Sequence, residues 1–177
     1  GPPVSRDPGQ GVISSYAQGT DYHQVLDTKL RKLATFIEDR YEVPTRTYVD
    51  TGPVLEKPYS VAAGLGWLGK HSNLISRDGS SWFFLGEVLV PLELSADIPE
   101  NDHCGTCTRC IEACPTDAFV EIAGDSGPSH ALDSTRCISY WTIELRGEIA
   151  EADRESIGRH LFGCDICQDV CPWNRPQ

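Results

Sequence analysis

The sequence has no methionine, no apolar run approaching the roughly 18 residues that a membrane span needs, and only 15 Lys plus Arg against 26 Asp plus Glu. The missing apolar run excludes a helical span. The deficit of positive charge, −11 overall, excludes a general binder of phosphate backbone. Nonspecific nucleic-acid affinity comes from lysines and arginines that release counterions, so any nucleic-acid contact has to be local. No charged-then-apolar leader opens the chain, and a Gly-Pro start without methionine reads as a trimmed piece of a longer chain. A reducing cytoplasm is the expected compartment. The remainder, 40% hydrophobic and 23% charged over 177 residues, suffices for one core with a small satellite.

Cysteine is what the chain has in quantity: eight are present. In a secreted chain eight would suggest four disulfides, but these spacings are those of metal motifs. CGTCTRCIEACP sets Cys104, Cys107, Cys110 and Cys114 in a C-x2-C-x2-C-x3-C-P run, the pattern of bacterial two-cluster ferredoxins. The first three thiolates grip one 4Fe-4S cluster from a short loop, while the fourth, starting a helical turn before proline, faces away and ligates the other. The second half supplies Cys137, then Cys164 and Cys167 in GCDICQDVCP, then Cys171 before Pro172. The crossing rule predicts one cluster on Cys104, Cys107, Cys110 and Cys171 and another on Cys114, Cys137, Cys164 and Cys167. Two four-cysteine zinc sites are the competing reading, because a C-x2-C pair also suits zinc. Zinc requires neither the three-cysteine run nor the repeated Cys-Pro. His103 beside Cys104 could replace a thiolate, yet eight cysteines already complete both sites. Glu112, Asp117, Asp165 and Asp169 around the motifs either lower the cluster potentials or solvate the surface.

Upstream, Gly1 to Gly11 is rich in Pro and Gly and reads as an irregular arm. Tyr22, Leu26, Leu30, Leu33 and Ile37, with Val25 and Phe36 beside them, predict an amphipathic helix from Asp21 to about Tyr41. After Pro44, TRTYVD predicts a strand over Thr45 to Asp50, closed by Gly52-Pro53. A short helix over Val54 to Ala63, interrupted by Pro58, leads into AGLGWLGKHSNLI, whose glycines make a tight, exposed backbone. SWFFLGEVLV predicts a strand pair from Ser81 to Val90, after a turn at Arg77 to Ser80, and these strands are expected to supply most of the core. Beyond a boundary near Glu100 the reading is a loop over Gly124 to Ser129, a strand in RCISYWTIEL and a polar helix from Glu151 to Arg159. The predicted class is α+β, with a mixed α/β cofactor domain over residues 1–100 and a ferredoxin-like two-cluster subdomain over 101–177. Gly64, Gly66 and Gly69 satisfy G-x-G-x-x-G literally. No clear parallel strand precedes them and no βαβ unit follows, so a dinucleotide site is not expected.

A bare ferredoxin needs little beyond Glu100 to Arg175, so the residues before it need a separate purpose. Six ordered blocks, YVDTGPVLEK, AGLGWLGKHSNLI, FFLGEVLV, CGTCTRCIEACPTDA, RCISYWTIEL and GCDICQDVCPWNR, together resemble the epoxyqueuosine reductase family. The resemblance runs from about Ser14 to Arg175. It implies a cobalamin-dependent oxidoreductase that reduces epoxyqueuosine to queuosine in transfer RNA, with two 4Fe-4S clusters passing electrons stepwise to the cobalamin. The implied proton donor is Asp50, at the strand end. A carboxyl beside Gly52 and Pro53, screened by a large corrin, could retain a proton near neutrality; an ordinary turn-capping aspartate is the bland alternative. The implied cobalamin contacts are Asp50, Gly69, Lys70, His71, Ser72 and Leu74, together with Ser139 and Tyr140, which follow Cys137 and are expected between the second cluster and the corrin. His71 is either a cobalt ligand or a core histidine.

The same resemblance implies a monomer in the cytoplasm that takes electrons from a flavodoxin or ferredoxin system, with no membrane contact. It also implies family segments before Ser14 and after Arg175, so this stretch alone is expected to hold an incomplete cobalamin domain, and a basic surface for transfer RNA is expected in those segments. Two alternatives share part of the pattern. A corrinoid reductive dehalogenase has the same cofactors but usually a leader and a tyrosine as donor, and a noncatalytic electron-transfer module would retain no cobalamin.

Overall fold

In the computed structural model, which describes residues 9–124 and 127–174, the predicted long helix is α1 (Tyr22–Tyr41). Asp21 caps it by accepting the His23 N–H at 2.9 Å, and Glu42 ends it in a left-handed conformation at φ 55°. Its inward face packs on a two-stranded antiparallel ribbon, β2 (Arg46–Tyr48) with β5 (Glu87–Leu89), in which Tyr48 faces Glu87. That face is narrower than the apolar pattern implied: Ala34 is buried, while Leu33 and Phe36 stay 48% and 61% exposed. The strand expected over Thr45 to Asp50 is thus three residues long.

The short helix is α2 (Glu56–Ala62), and Pro58 lies in its first turn, where a missing N–H leaves no intrahelical bond unmade. The glycine-rich stretch that follows is a β-hairpin, β3 (Gly66–Leu68) against β4 (Leu74–Ser76). Gly66 is required there, since a Cβ would stand 1.9 Å from the Ile75 carbonyl oxygen.

The strand pair expected over Ser81 to Val90 is a correction: only β5 is a strand. From Ser81 the backbone is held by side chains of the C-terminal segment. Its N–H donates to Asn174 Oδ1 at 2.6 Å and its carbonyl accepts from Gln168 Nε2 at 3.0 Å. Phe83 and Phe84 consequently remain 37% and 46% exposed rather than forming the core. The core is instead Trp67, Ile75 and Cys171, with Cys104 and Trp173 packed against it and the Trp67 and Trp173 rings edge to face at 4.9 Å. It joins residues from both sides of the expected boundary near Glu100.

The cysteine-rich part comprises α3 (Arg109–Glu112), β6 (Phe119–Gly124), β7 (Gly127–Leu132), α4 (Ile138–Ile143), α5 (Arg154–Ile157), β8 (His160–Phe162) and α6 (Ile166–Asp169). β6 and β7 pair antiparallel, so most of the expected Gly124 to Ser129 loop is strand. The RCISYWTIEL strand is a helix, α4. Cys137 is extended, its carbonyl accepts the Trp141 N–H, and Thr142 Oγ1 bonds back to the Ile138 carbonyl, so the β-branched residues are absorbed into helical hydrogen bonding. The polar helix is broken into a 3-10 turn, Glu151–Asp153, and α5, which stops at Gly158 with φ 58°. Of the expected irregular arm, residues 1–8 lie outside the described residues; beyond it, β1 (Val12–Ile13) runs parallel to β8. Among the described residues no helix is long and apolar enough to cross a membrane.

Candidate active site

The eight cysteines are all free thiols, and four of them share one cavity. Cys114, Cys137, Cys164 and Cys167 line one cavity of about 40 Å³, closed by Pro115, Ala118, Phe119, Leu132, Ile138 and Ile166. Burial pushes the Cys164 thiol up to about 11 and that of Cys167 to about 12, with Cys137 and Cys114 adding to both. In the other set burial raises Cys110 to about 11, with Cys104 and Cys171 adding, and Cys171 feels Cys107. Sulfurs this reluctant to ionise become ligands only when a cationic centre deprotonates them, which iron does. Among the described residues no group of three or more His, Cys, Asp or Glu side chains is arranged to hold a single metal ion. Cys167 also feels Cys110, so the two sets are electrostatic neighbours.

Asp50 follows β2 and α2 begins six residues later, which folds the intervening turn back on itself. Asp50 has a left-handed φ of 58°, and its N–H donates to Glu56 Oε1 at 2.6 Å. Its carboxylate projects outward, 62% exposed, and Oδ2 accepts from the Tyr22 hydroxyl at 2.7 Å, with His23 Nε2 at 3.8 Å. Burial first, and then donation to Asp50, push the Tyr22 phenol well above its usual range, so it stays a donor. Tyr22 stacks on Phe84 at 4.3 Å with the planes 6° apart. Tyr22 and His23 were not among the residues the sequence singled out, since in α1 they read only as a core aromatic and a helix-start residue.

Phe84 in turn forms one wall of an open cleft of about 440 Å³ shared with Tyr16, Trp82, Phe83, Asn73 and Gln168. Asp165, between Cys164 and Cys167 in sequence, also lines it. Asp165 is held by the Ser14 hydroxyl and by the Ser15 N–H at 2.6 Å. The cleft thus runs from the aromatic support of Asp50 to the residues carrying the second cysteine set.

The other expected contacts have different settings. Gly69 and Leu74 are buried in the hairpin, and Ser72 turns it at φ 61° while its carbonyl accepts Lys57 Nζ at 2.7 Å. Lys70 donates its ammonium to the Gly105 and Cys107 carbonyls, 2.7 and 3.1 Å away, and so braces the first cysteine loop. His71 is 3% exposed, its Nδ1 accepts from Asn73 N–H, and burial, aided by Lys57, pushes it down to about 4. It is therefore neutral, with its Nε2 sealed from solvent. Ser139 and Tyr140 sit half-buried on the first turn of α4, directly after Cys137. Of the hairpin turn, Asn73 is the residue that reaches the cleft.

Residues 103–174 match the family model described as a 4Fe-4S double cluster binding domain, and residues 1–51 match the one described as epoxyqueuosine reductase QueG, DUF1730. The cysteine-rich part is therefore a domain for two 4Fe-4S clusters. The epoxyqueuosine reductase of a Synechocystis strain is 51% identical over 97% of this chain and 57% of its own length. An epoxyqueuosine reductase solved with an epoxyqueuosine-modified tRNA-Tyr stem loop superposes with a TM-score of 0.83 at 34% identity, over 93% of this chain and 42% of that one. One from Bacillus subtilis, solved with its catalytic aspartate loop swung out of the active site, gives 0.80 at 34% identity over 94% and 42%. A catabolic reductive dehalogenase shares the fold alone, with a TM-score of 0.58 at 20% identity, over 81% of this chain and 20% of that one. The chain spans about half the length of the curated relatives it matches. Both ends of the sequence, the paired cysteine sets and the superposition agree, and the chain belongs to the epoxyqueuosine reductase family.

Proposed function

We propose that this chain forms the redox and proton-donating part of an enzyme that reduces epoxyqueuosine to queuosine in transfer RNA. Residues 1–100 contribute to the cofactor domain and 101–177 hold the clusters. The observation that carries the reading is the cleft lined at once by Phe84, on which the Tyr22 that holds Asp50 stacks, and by Asp165 and Gln168, which flank Cys164 and Cys167 in sequence. Each epoxide reduced to an alkene consumes two electrons and two protons and releases one water. The clusters deliver electrons singly, and their neighbouring sites permit both to arrive in sequence.

The cleft fits a large flat cofactor. It is open, its walls are the rings of Tyr16, Trp82, Phe83 and Phe84, and two of those rings remain exposed in this chain. Bound cobalamin would supply there a low-valent cobalt able to attack the epoxide-bearing ring. Tyr16, Asn73 and the aromatic wall would hold it, with Ser139 and Tyr140 on the side of the second cluster. Asp50 then does what its position allows: it offers a proton at the carboxyl held by Tyr22 to the oxygen leaving carbon, while the Tyr22–Phe84 stack fixes where that carboxyl points. A covering ring would remove the solvent that now reaches Asp50 and strengthen both hydrogen bonds. The partners of this reading are an epoxyqueuosine-bearing tRNA and a flavodoxin- or ferredoxin-type donor, in the cytoplasm.

Anaerobic reconstitution with iron, sulfide and cobalamin, followed by metal analysis and turnover of an epoxyqueuosine stem loop, tests this. Asp50→Asn should retain full iron and lose at least about 100-fold in rate, the usual reach of a general acid. Wild-type turnover by Asp50→Asn would overturn the assignment.

A further inference from the structure

The reading above leaves one acid pair unused. Glu87, on β5 opposite Tyr48, has both carboxyl oxygens sealed from solvent. The carboxyl of Glu56, at the start of α2, faces it. Glu56 is the residue whose Oε1 accepts the Asp50 N–H at 2.6 Å, the bond that holds Asp50 at its left-handed φ of 58°. A non-glycine residue in that conformation is strained, so it depends on such a restraint.

We propose that Glu56 is a latch on the Asp50 loop and that Glu87 sets the latch, closed when the pair shares a proton and released when both carboxyls are ionised. The proposal rests on the reading of Asp50 as proton donor only for its meaning, not for its geometry. With one proton between them, Glu87 donates to Glu56 and both oxygens of the pair stay satisfied. With none, the two carboxylates repel, and Glu56, whose Oε1 holds the Asp50 N–H, is the partner that moves away. Burial first, and then the Glu56 charge, bring Glu87 up to about 7, inside the working range of a cell. Other charges face the pair. Asp50 adds to the same repulsion, whereas Lys57 on α2 attracts Glu56 and Asp50, although its ammonium is spent on the Ser72 carbonyl and Asn73 Oδ1. From α1, Tyr22 and His23 bear on Asp50 itself, at Oδ2, and not on its N–H.

The test is amide hydrogen exchange of the segment around Asp50 in the cluster-loaded 177-residue chain, from pH 6 to 8, expressed as protection after correction for the intrinsic rate. With a midpoint of about 7, the protonated fraction falls from about 0.9 to about 0.1, so protection of the Asp50 amide should fall roughly tenfold. Glu87→Gln, which donates a hydrogen bond at any pH, should keep it high and flat. Glu56→Ala should remove it at every pH, and Glu56→Gln, with its carbonyl oxygen, should restore part of it. A flat wild-type profile overturns the latch without need of any variant, as does an unchanged slope in Glu87→Gln that retains native iron content and circular dichroism. Neither readout involves turnover. The latch can therefore fail while Asp50→Asn still abolishes the reaction, and Asp50→Asn can leave turnover intact while the latch stands.

Discussion

Cys171→Ala separates the interlocked arrangement from every arrangement in which neighbouring cysteines share a cluster. Cys171 stands four residues after Cys167 and seven after Cys164, so proximity in sequence assigns all three to one site. In space Cys171 packs beside Trp67, Ile75 and Cys104, while Cys164 and Cys167 line the cavity of Cys114 and Cys137. Two four-iron clusters give eight irons per chain. Cys171→Ala should drop that to about four, and adding Cys104→Ala should take away no more, since both belong to one set. Combining Cys171→Ala with Cys164→Ala should remove nearly all iron. Because Cys171 is 6% exposed in the core, its truncation also costs about 1 to 2 kcal/mol of packing. Cys107→Ala, from a loop outside that core, is the control: it should halve the iron with a smaller loss of thermal stability. The assay is iron and sulfide content after anaerobic reconstitution, with electron paramagnetic resonance of the reduced protein. If Cys171→Ala with Cys164→Ala retained half the iron, the two residues would serve one cluster and the crossed sets would be wrong.

Three further outcomes are expected. Tyr22→Phe keeps the stack on Phe84 but loses the hydroxyl at Asp50. With Asp50 62% exposed the bond is worth about 1 kcal/mol, so stem-loop turnover should fall roughly fivefold with iron content unchanged. Lys70→Met leaves the Gly105 and Cys107 carbonyls without their ammonium, and iron should leave the first cysteine set about tenfold faster under a chelator, with the second set unaffected. Glu87 has its folded pKa raised from 4.5 to about 7, so the folded form holds a proton that the unfolded chain releases. That contribution to stability is complete below about 4.5 and is lost as pH rises through 7. Melting curves should therefore show Glu87→Gln gaining on the wild type between pH 5 and pH 8, and a difference constant with pH would contradict the raised value.

The parts that sequence made legible are those whose chemistry fixes spacing. A cluster demands thiolates at set intervals and a helix demands apolar residues every third or fourth position, so the cysteine sets and α1 could be read from letters alone. Asp50 was reached through a resemblance, and its left-handed backbone and its bond to Glu56 had no periodic signal. Misreadings arose where a distant partner overruled local preference. Ile138, Thr142 and Ile143 prefer strands, yet they lie in α4, packed beside β8, with Thr142 Oγ1 accepting the Gly163 N–H. SWFFLGEVLV combines aromatic and β-branched residues as a strand does, yet Asn174 and Gln168, about ninety residues later, take the Ser81 backbone out of any ladder. Lys70 and His71 follow glycines, and nothing local indicates that one braces the Cys104–Cys107 loop and the other is buried.

Two of the acidic residues around the motifs, Glu112 and Asp165, and Asp133 beside Cys137, also hold backbone turns in place. Glu112 accepts the Thr108 hydroxyl at 2.5 Å across the turn that carries Cys110, Asp133 caps the 3-10 turn leading to Cys137, and Asp165 accepts from Ser14 and Ser15. Each carboxylate is an acceptor that fixes a ligand-bearing turn, and thus contributes first to where a sulfur points. Asp165 does more, because Ser14 and Ser15 belong to the segment that continues into α1 and so into Tyr22. One carboxylate between Cys164 and Cys167 thereby ties the second cluster's loop to the helix that positions Asp50. Asp165→Asn should keep the shape of this joint while removing its charge, and Asp165→Ala should remove both. If the carboxylate acts mainly as a brace, Asn should hold the cluster potential near the wild type and keep α1 protected from hydrogen exchange, and Ala should loosen the first turn of α1. A potential raised equally by both substitutions, with exchange unchanged, would instead mark Asp165 as an electrostatic tuner of the cluster.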